Sequence, residues 1–177
     1  WVMRASLPLV MKLPLDRRQF LKRSGWLGAG LLAAQHLPSL RSADTPAAPR
    51  LSVGVMGLGR GMDHVAALSS IPGVTISYVC DVDNQRLAKG AQLVAGKQPS
   101  TPKAVSDFRR ILDDPTVDAL TIAGPNHWHA PATILACAAG KHVYVEKPGS
   151  HNAREGELMV AAARKHKRVV QMGNQRR

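Results

Sequence analysis

From Leu51 to Met172 the chain reads as six short apolar runs separated by helical stretches, and this alternation limits the fold more than any other feature. The runs are Leu51–Met56, Val74–Cys80, a short piece around Lys103–Val105, Asp118–Ala123, His142–Glu146 and Arg168–Met172. Between them, helices are expected over 60–70, Asn84–Val94, Asp107–Leu112, Pro131–Ala139 and Asn152–Lys167, with breaks at Ile71-Pro72-Gly73, Pro115 and Gly140. Val74–Cys80 is β-branched and aromatic, as a strand prefers. A hairpin cannot join parallel strands, so helical crossovers between apolar strands imply a parallel sheet covered on both faces. The expectation is an α/β fold: a doubly wound parallel sheet of six strands in the order 3-2-1-4-5-6.

In such a sheet, ligands bind outside the carboxyl ends of the strands. Gly57-Leu58-Gly59-Arg60-Gly61-Met62 leaves the first strand and opens a helix. Glycines there let backbone N–H groups approach a pyrophosphate at the positive end of the helix dipole. The third glycine, Gly61, falls one place early against G-x-G-x-x-G, and Met62 holds the usual position. Asp81 ends the second strand, about twenty residues on, where a carboxylate accepts from ribose hydroxyls and repels a 2′-phosphate. That favours NAD over NADP, while Arg86 is placed to reach a phosphate. If Asp81 plays no such part, it is a helix N-cap.

Strand four ends in Ala123-Gly124-Pro125-Asn126-His127-Trp128-His129. Ala123 and Pro125 would border the cofactor, and Asn126 could both cap the next helix and face the cofactor. His127 and His129 are two residues apart, a spacing that does not share a helix face, and no further ligands complete a set, so no metal is expected. Trp128 reads as packing. Strand five ends in Glu146-Lys147-Pro148-Gly149. A lysine at this edge can hold a substrate hydroxyl or help move its proton, and Glu146 could pair with it.

Charge points elsewhere. The formal net charge is +12, but residues 1–50 carry eight basic and two acidic residues, and the stretch from Arg154 carries seven and two. The middle is nearly neutral, so no single basic face for nucleic acid emerges. Cys80 and Cys137 read as buried, unpaired small hydrophobes. Asp16-Arg17-Arg18-Gln19-Phe20-Leu21-Lys22 followed by a Gly- and Ala-rich apolar stretch has the layout of a signal peptide, and its paired arginines resemble a twin-arginine (Tat) signal. The alternative is an amphipathic first helix. Residues 1–47 are thus read as a leader, with Met11 as the start and Thr45-Pro46-Ala47 as the cleavage region. The expected location is periplasmic or exported, with the Tat machinery as a partner. Residues 48–173 are read as the nucleotide domain and 174–177 as the start of a further domain.

Gly57-Leu58-Gly59, Cys80-Asp81-Val82-Asp83, Pro125-Asn126-His127-Trp128-His129, Glu146-Lys147-Pro148 and Gln171-Met172-Gly173-Asn174 resemble the Gfo/Idh/MocA oxidoreductase family, whose nucleotide domain is a Rossmann fold. The resemblance implies hydride transfer with NAD, NADP being the lesser candidate, on a sugar, cyclitol or related polyol. It implies that Lys147 contacts substrate and nicotinamide ribose, that His129 lies near the nicotinamide, and that Asn126 and Pro148 shape the pocket. It makes Lys147 and His129 the catalytic candidates. It also implies a C-terminal α/β substrate domain absent from this sequence, a homo-oligomer at full length, and poor turnover by this polypeptide alone. Two other readings stay open: an NAD-dependent glycosidase of the same family, and a non-catalytic nucleotide-binding scaffold.

Overall fold

A computed structural model describes residues 50–174. The leader expected over 1–47, its Tat signal and the last three residues lie outside them. Six strands are formed: β1 (Leu51–Met56), β2 (Val74–Cys80), β3 (Lys103–Val105), β4 (Ala119–Ile122), β5 (His142–Val145) and β6 (Val170–Met172). Five helices alternate with them: α1 (Gly61–Leu68), α2 (Asn84–Ala95), α3 (Arg109–Leu112), α4 (Asn126–Ala138) and α5 (Ala153–His166). The sheet order is β3-β2-β1-β4-β5-β6, and every pairing is parallel, as the alternation required.

Each face of the sheet has its own core. Val55, Ile76 and Val79 pack with Val65 of α1 and Leu87 and Val94 of α2. Met56, Leu120, Ile122, Val143 and Val145 point the other way, onto α3, α4 and α5. Consecutive Val55 and Met56 thus serve opposite faces, the period-two alternation of a strand buried on both sides.

Several element ends differ from the sequence reading, three of them with a cause visible in the contacts. The fourth helix starts at Asn126, not Pro131, so Pro131 sits inside it and Pro125 is the capping residue. Pro131 cannot donate to the His127 carbonyl, but His127 is exposed and water can take that place. Asn126 is therefore the first helical residue rather than the cap, and no side chain caps this helix. The third helix shrinks to Arg109–Leu112, because the Asp107 carboxylate turns onto the Arg109 amide and guanidinium. The last strand begins at Val170, because Lys167 closes α5 in a left-handed conformation, φ 53°, and Arg168 ties to the carbonyls of His166 and Gly140.

Candidate dinucleotide site

The first glycine turn explains its own sequence. Gly57 has φ +86°, and a side chain there would place Cβ 2.6 Å from the Gly124 amide and 2.7 Å from the Ala123 carbonyl. The turn leaving β1 thus lies against the turn leaving β4, with no room for a methyl group. Gly59 is exposed and faces outward. Gly61 is buried, and a Cβ there would sit 3.3 Å from Val55 and 3.4 Å from Ala123. It therefore does the close helix-on-sheet packing assigned to the third glycine, one place early. Met62 turns into the α1–α2 core instead of the turn.

Asp81 braces this turn. Its carboxylate accepts from the Leu58 amide at 2.6 Å and from the Asp83 amide at 2.9 Å. Each oxygen keeps lone pairs for a further donor. Leu58 is thereby committed to the frame: its N–H goes to Asp81 and its side chain is 1% exposed in the core. The helix cap after β2 is Asp83, not Asp81: it accepts from the Gln85 and Arg86 amides, and the bonds from Arg86 and Gln85 hold its carboxyl below the ordinary range. Arg86 leans back over the turn, with a guanidinium nitrogen 3.4 Å from where a Gly59 Cβ would lie.

A cavity of about 660 Å³ opens beside these groups, within the size range of small-molecule sites. Gly57, Gly59, Asp81, Arg86, Ala123 and Pro125 line it, bringing together six of the expected residues. The sequence reading missed its far wall, Ser106 to Arg109 after β3, together with Val82 and Leu135. The signal was available, because the carboxyl end of β3 shares this edge. Trp128, read as packing, also lines the cavity, 42% exposed and edge-on to Phe108 with ring centres 5.9 Å apart. Arg60 is exposed and pairs with Asp63 at 3.5 Å.

The other expected residues gather at β5. Lys147 and Pro148 line a second hollow, of about 770 Å³, with Gly149, Ser150, Met159 and Met172. Glu146 does not pair with the Lys147 ammonium as expected. Its carboxylate accepts from His64 Nε2 at 2.8 Å and from the Lys147 backbone N–H at 3.1 Å. Burial pushes this carboxyl up, but the bonds from His64 and the Lys147 amide prevail and hold it below its ordinary value. His129 is 1% exposed, with Nδ1 2.6 Å from the Pro148 carbonyl and Nε2 2.9 Å from the Gly124 carbonyl. Both ring nitrogens are thus engaged by backbone instead of facing a ligand, while Asn126 and His127 are exposed. Among the described residues no group of three or more His, Cys, Asp or Glu could hold a metal ion.

This geometry fits a dinucleotide: a glycine turn in which Gly57 has no space for a side chain and Gly59 stands open, the uncapped first turn of α1, and a carboxylate at the end of β2. Comparison with known proteins agrees. A model of the Gfo/Idh/MocA oxidoreductase family, NAD-binding Rossmann fold, matches residues 51–174. The chain belongs to that family, and its described residues form the NAD-binding domain. A glycosyl hydrolase family 109 protein from Shewanella pealeana is 30% identical, over 90% of this chain and 40% of its own length. A solved levoglucosan dehydrogenase in complex with NADH is 29% identical with a TM-score of 0.63, over 70% of this chain and 34% of that one. Myo-inositol 2-dehydrogenase from Lactobacillus plantarum is 25% identical with a TM-score of 0.60, over 70% and 36%. The chain thus spans about two fifths or less of the length of these relatives.

Proposed function

We propose that this chain is the nucleotide-binding part of an exported enzyme that uses NAD to exchange hydride with a sugar, cyclitol or related polyol. The observation that carries the reading is the position of Lys147. It is exposed at the carboxyl end of β5, two strand spacings, or about 10 Å, from the glycine turn after β1. A dinucleotide held by Gly57, Gly59 and Asp81 can extend that far along the strand ends. Bound NAD supplies the hydride acceptor. The chain's own residues supply the rest: backbone N–H groups at the start of α1 take the pyrophosphate, Asp81 accepts from the ribose, and Lys147 holds the substrate hydroxyl and carries its proton. His129, placed beneath the Lys147–Pro148 turn, serves the reaction through that turn.

Export rests on the paired arginines at Arg17 and Arg18 and on the Gly- and Ala-rich apolar stretch that follows them. Homo-oligomer formation and a separate substrate domain belong to the same reading.

The likeness to the glycosyl hydrolase family 109 protein favours a second reading, hydrolysis of a glycoside in which NAD is reduced and re-oxidised within one turnover. One assay separates them. The enzyme, complete with its substrate domain, is given polyols and free sugars in one arm and aryl glycosides in the other. Net NADH formation on the free alcohols supports the dehydrogenase. Release of the aryl alcohol without net NADH supports the glycosidase. Neither signal, in a protein that binds NADH, leaves the non-catalytic scaffold.

A further inference from the structure

Lys147 has a neighbour on each side that is gripped by a histidine from a different helix. On one side His64, from α1, bonds the Glu146 carboxylate at 2.8 Å, and the second oxygen of that carboxylate receives the Lys147 N–H at 3.1 Å. On the other side His129, from α4, meets the Pro148 carbonyl at 2.6 Å. Neither histidine is free to face solvent: the His64 side chain is 14% exposed and His129 is 1% exposed. Tyr144 of β5 meets the His64 ring edge-on, with centres 5.4 Å apart, and fixes its plane. The hydrogen positions follow from the partners. A carboxylate only accepts, so His64 carries hydrogen on Nε2; both partners of His129 are carbonyls, a neutral ring donates to only one of them, and the shorter contact, to Pro148, places that hydrogen on Nδ1.

We infer that His64 and His129 are positioning residues that fix the Lys147 backbone from both sides and tie it to the two helices flanking the dinucleotide turns. α1 starts two residues after Gly59, and α4 starts two residues after Gly124, whose carbonyl is the second contact of His129. The lysine is exposed and carries a long flexible stem, so its aim depends on a rigid backbone beneath it. The two bonds reach from helices 82 and 19 residues away in sequence. The inference rests on Lys147 as the group that faces substrate, but its test reads the lysine's backbone instead of turnover.

The test uses the full chain labelled with ¹⁵N, studied by amide exchange and by ring-nitrogen spectra. In the parent protein His129 is expected to show a hydrogen on Nδ1 and His64 a hydrogen on Nε2. His64→Leu and His129→Leu are each expected to speed exchange of the Lys147 amide about tenfold, the loss of roughly one hydrogen bond. The amides of Glu146 and Ala123, bonded to Ile122 and Met56 carbonyls, are expected to stay as protected as before. If the leucine variants do not fold, the glutamine variants carry the test. His64→Gln keeps a donor for Glu146 and should retain Lys147 protection, whereas the flexible arm of His129→Gln cannot bridge the Gly124 and Pro148 carbonyls as a rigid ring does and should lose it. A bare Nδ1 on His129 or a bare Nε2 on His64 overturns the inference. So does an unchanged Lys147 amide, or one that loosens only in step with Glu146 and Ala123. Failure of Lys147 to act on substrate would show in the turnover assay and leave these signals in place.

Discussion

The Asp81 carboxylate lies 2.6 Å from the Leu58 amide across 23 residues of sequence, so one side chain both shapes the glycine turn and keeps spare acceptor lone pairs at the wall of the cavity, where the proposed function places a ribose. Asp81→Ala removes both roles. NADH affinity should fall about 10- to 100-fold, the range expected for a hydrogen bond to a charged group, and the preference over NADPH should collapse as Arg86 becomes the dominant charge. Fluorescence titration with both nucleotides checks this. An unchanged preference would remove Asp81 from cofactor selection.

The three glycines should separate stability from binding. Gly57→Ala forces a side chain into φ +86° and against the Ala123–Gly124 peptide, so it should cost at least about 2 kcal/mol in urea unfolding. Gly61→Ala meets only Val55 and Ala123 side chains and should cost less. In Gly59→Ala the methyl meets only the end of Arg86, so stability should change by less than about 1 kcal/mol while NADH binding weakens, because the methyl stands where the pyrophosphate must approach.

Cys80 gives a pH test. Burial, then the charges of Asp81 and Asp107, push its thiol from 9.0 up to about 12. The unfolded thiol loses its proton near 9 while the folded one keeps it. The unfolded state therefore binds fewer protons between those values, and stability falls as pH rises through that window. Between pH 8 and pH 10 the loss should be on the order of 1 kcal/mol, and Cys80→Ala should flatten that slope, whatever its own cost in packing. The folded thiol should also resist alkylation at neutral pH, since the thiolate is the reactive form.

Lys141 provides a control far from the cleft. It is 4% exposed, and its ammonium donates to the Asp114 and Val117 carbonyls at 2.6 and 2.8 Å. Lys141→Met keeps much of the volume but leaves the Val117 carbonyl unpaired and the Asp114 carbonyl with only the Val117 amide, so it should cost about 1–3 kcal/mol. NADH affinity in the folded variant should not change. A weakened affinity would mean that the two ends of the sheet are coupled.

Lys147→Met should leave NADH affinity nearly intact and lower turnover about 10²- to 10⁴-fold, the usual share of a positioned proton carrier. Equal loss of binding and turnover would assign the lysine to the cofactor alone.

The sheet was legible because buried parallel strands are apolar on both faces, and Leu51–Met56 and Val74–Cys80 match their runs to the residue. The glycine turn and Asp81 were legible because their spacing follows from the crossover. Pro131 misled the helix start because proline usually opens a helix, and here Pro125 already stands before it. The bond between Glu146 and His64 had no local signal. Its partners lie on different elements, and only the packing of α1 against the end of β5 brings them together. The burial of His129 was hidden for a related reason: helical spacing separates His127 from His129 but does not say which of the two faces inward.

The central strand carries a consequence for the birth of the molecule. β1 holds β2 on one edge and β4 on the other, and Ser52 is tied to Asp118, 66 residues later. At about 5–20 residues per second, a ribosome delivers that second partner roughly 3–13 s after the first strand. During that interval the innermost strand of the finished sheet is an exposed apolar edge, so the nascent chain passes its most aggregation-prone seconds before Asp118 is made.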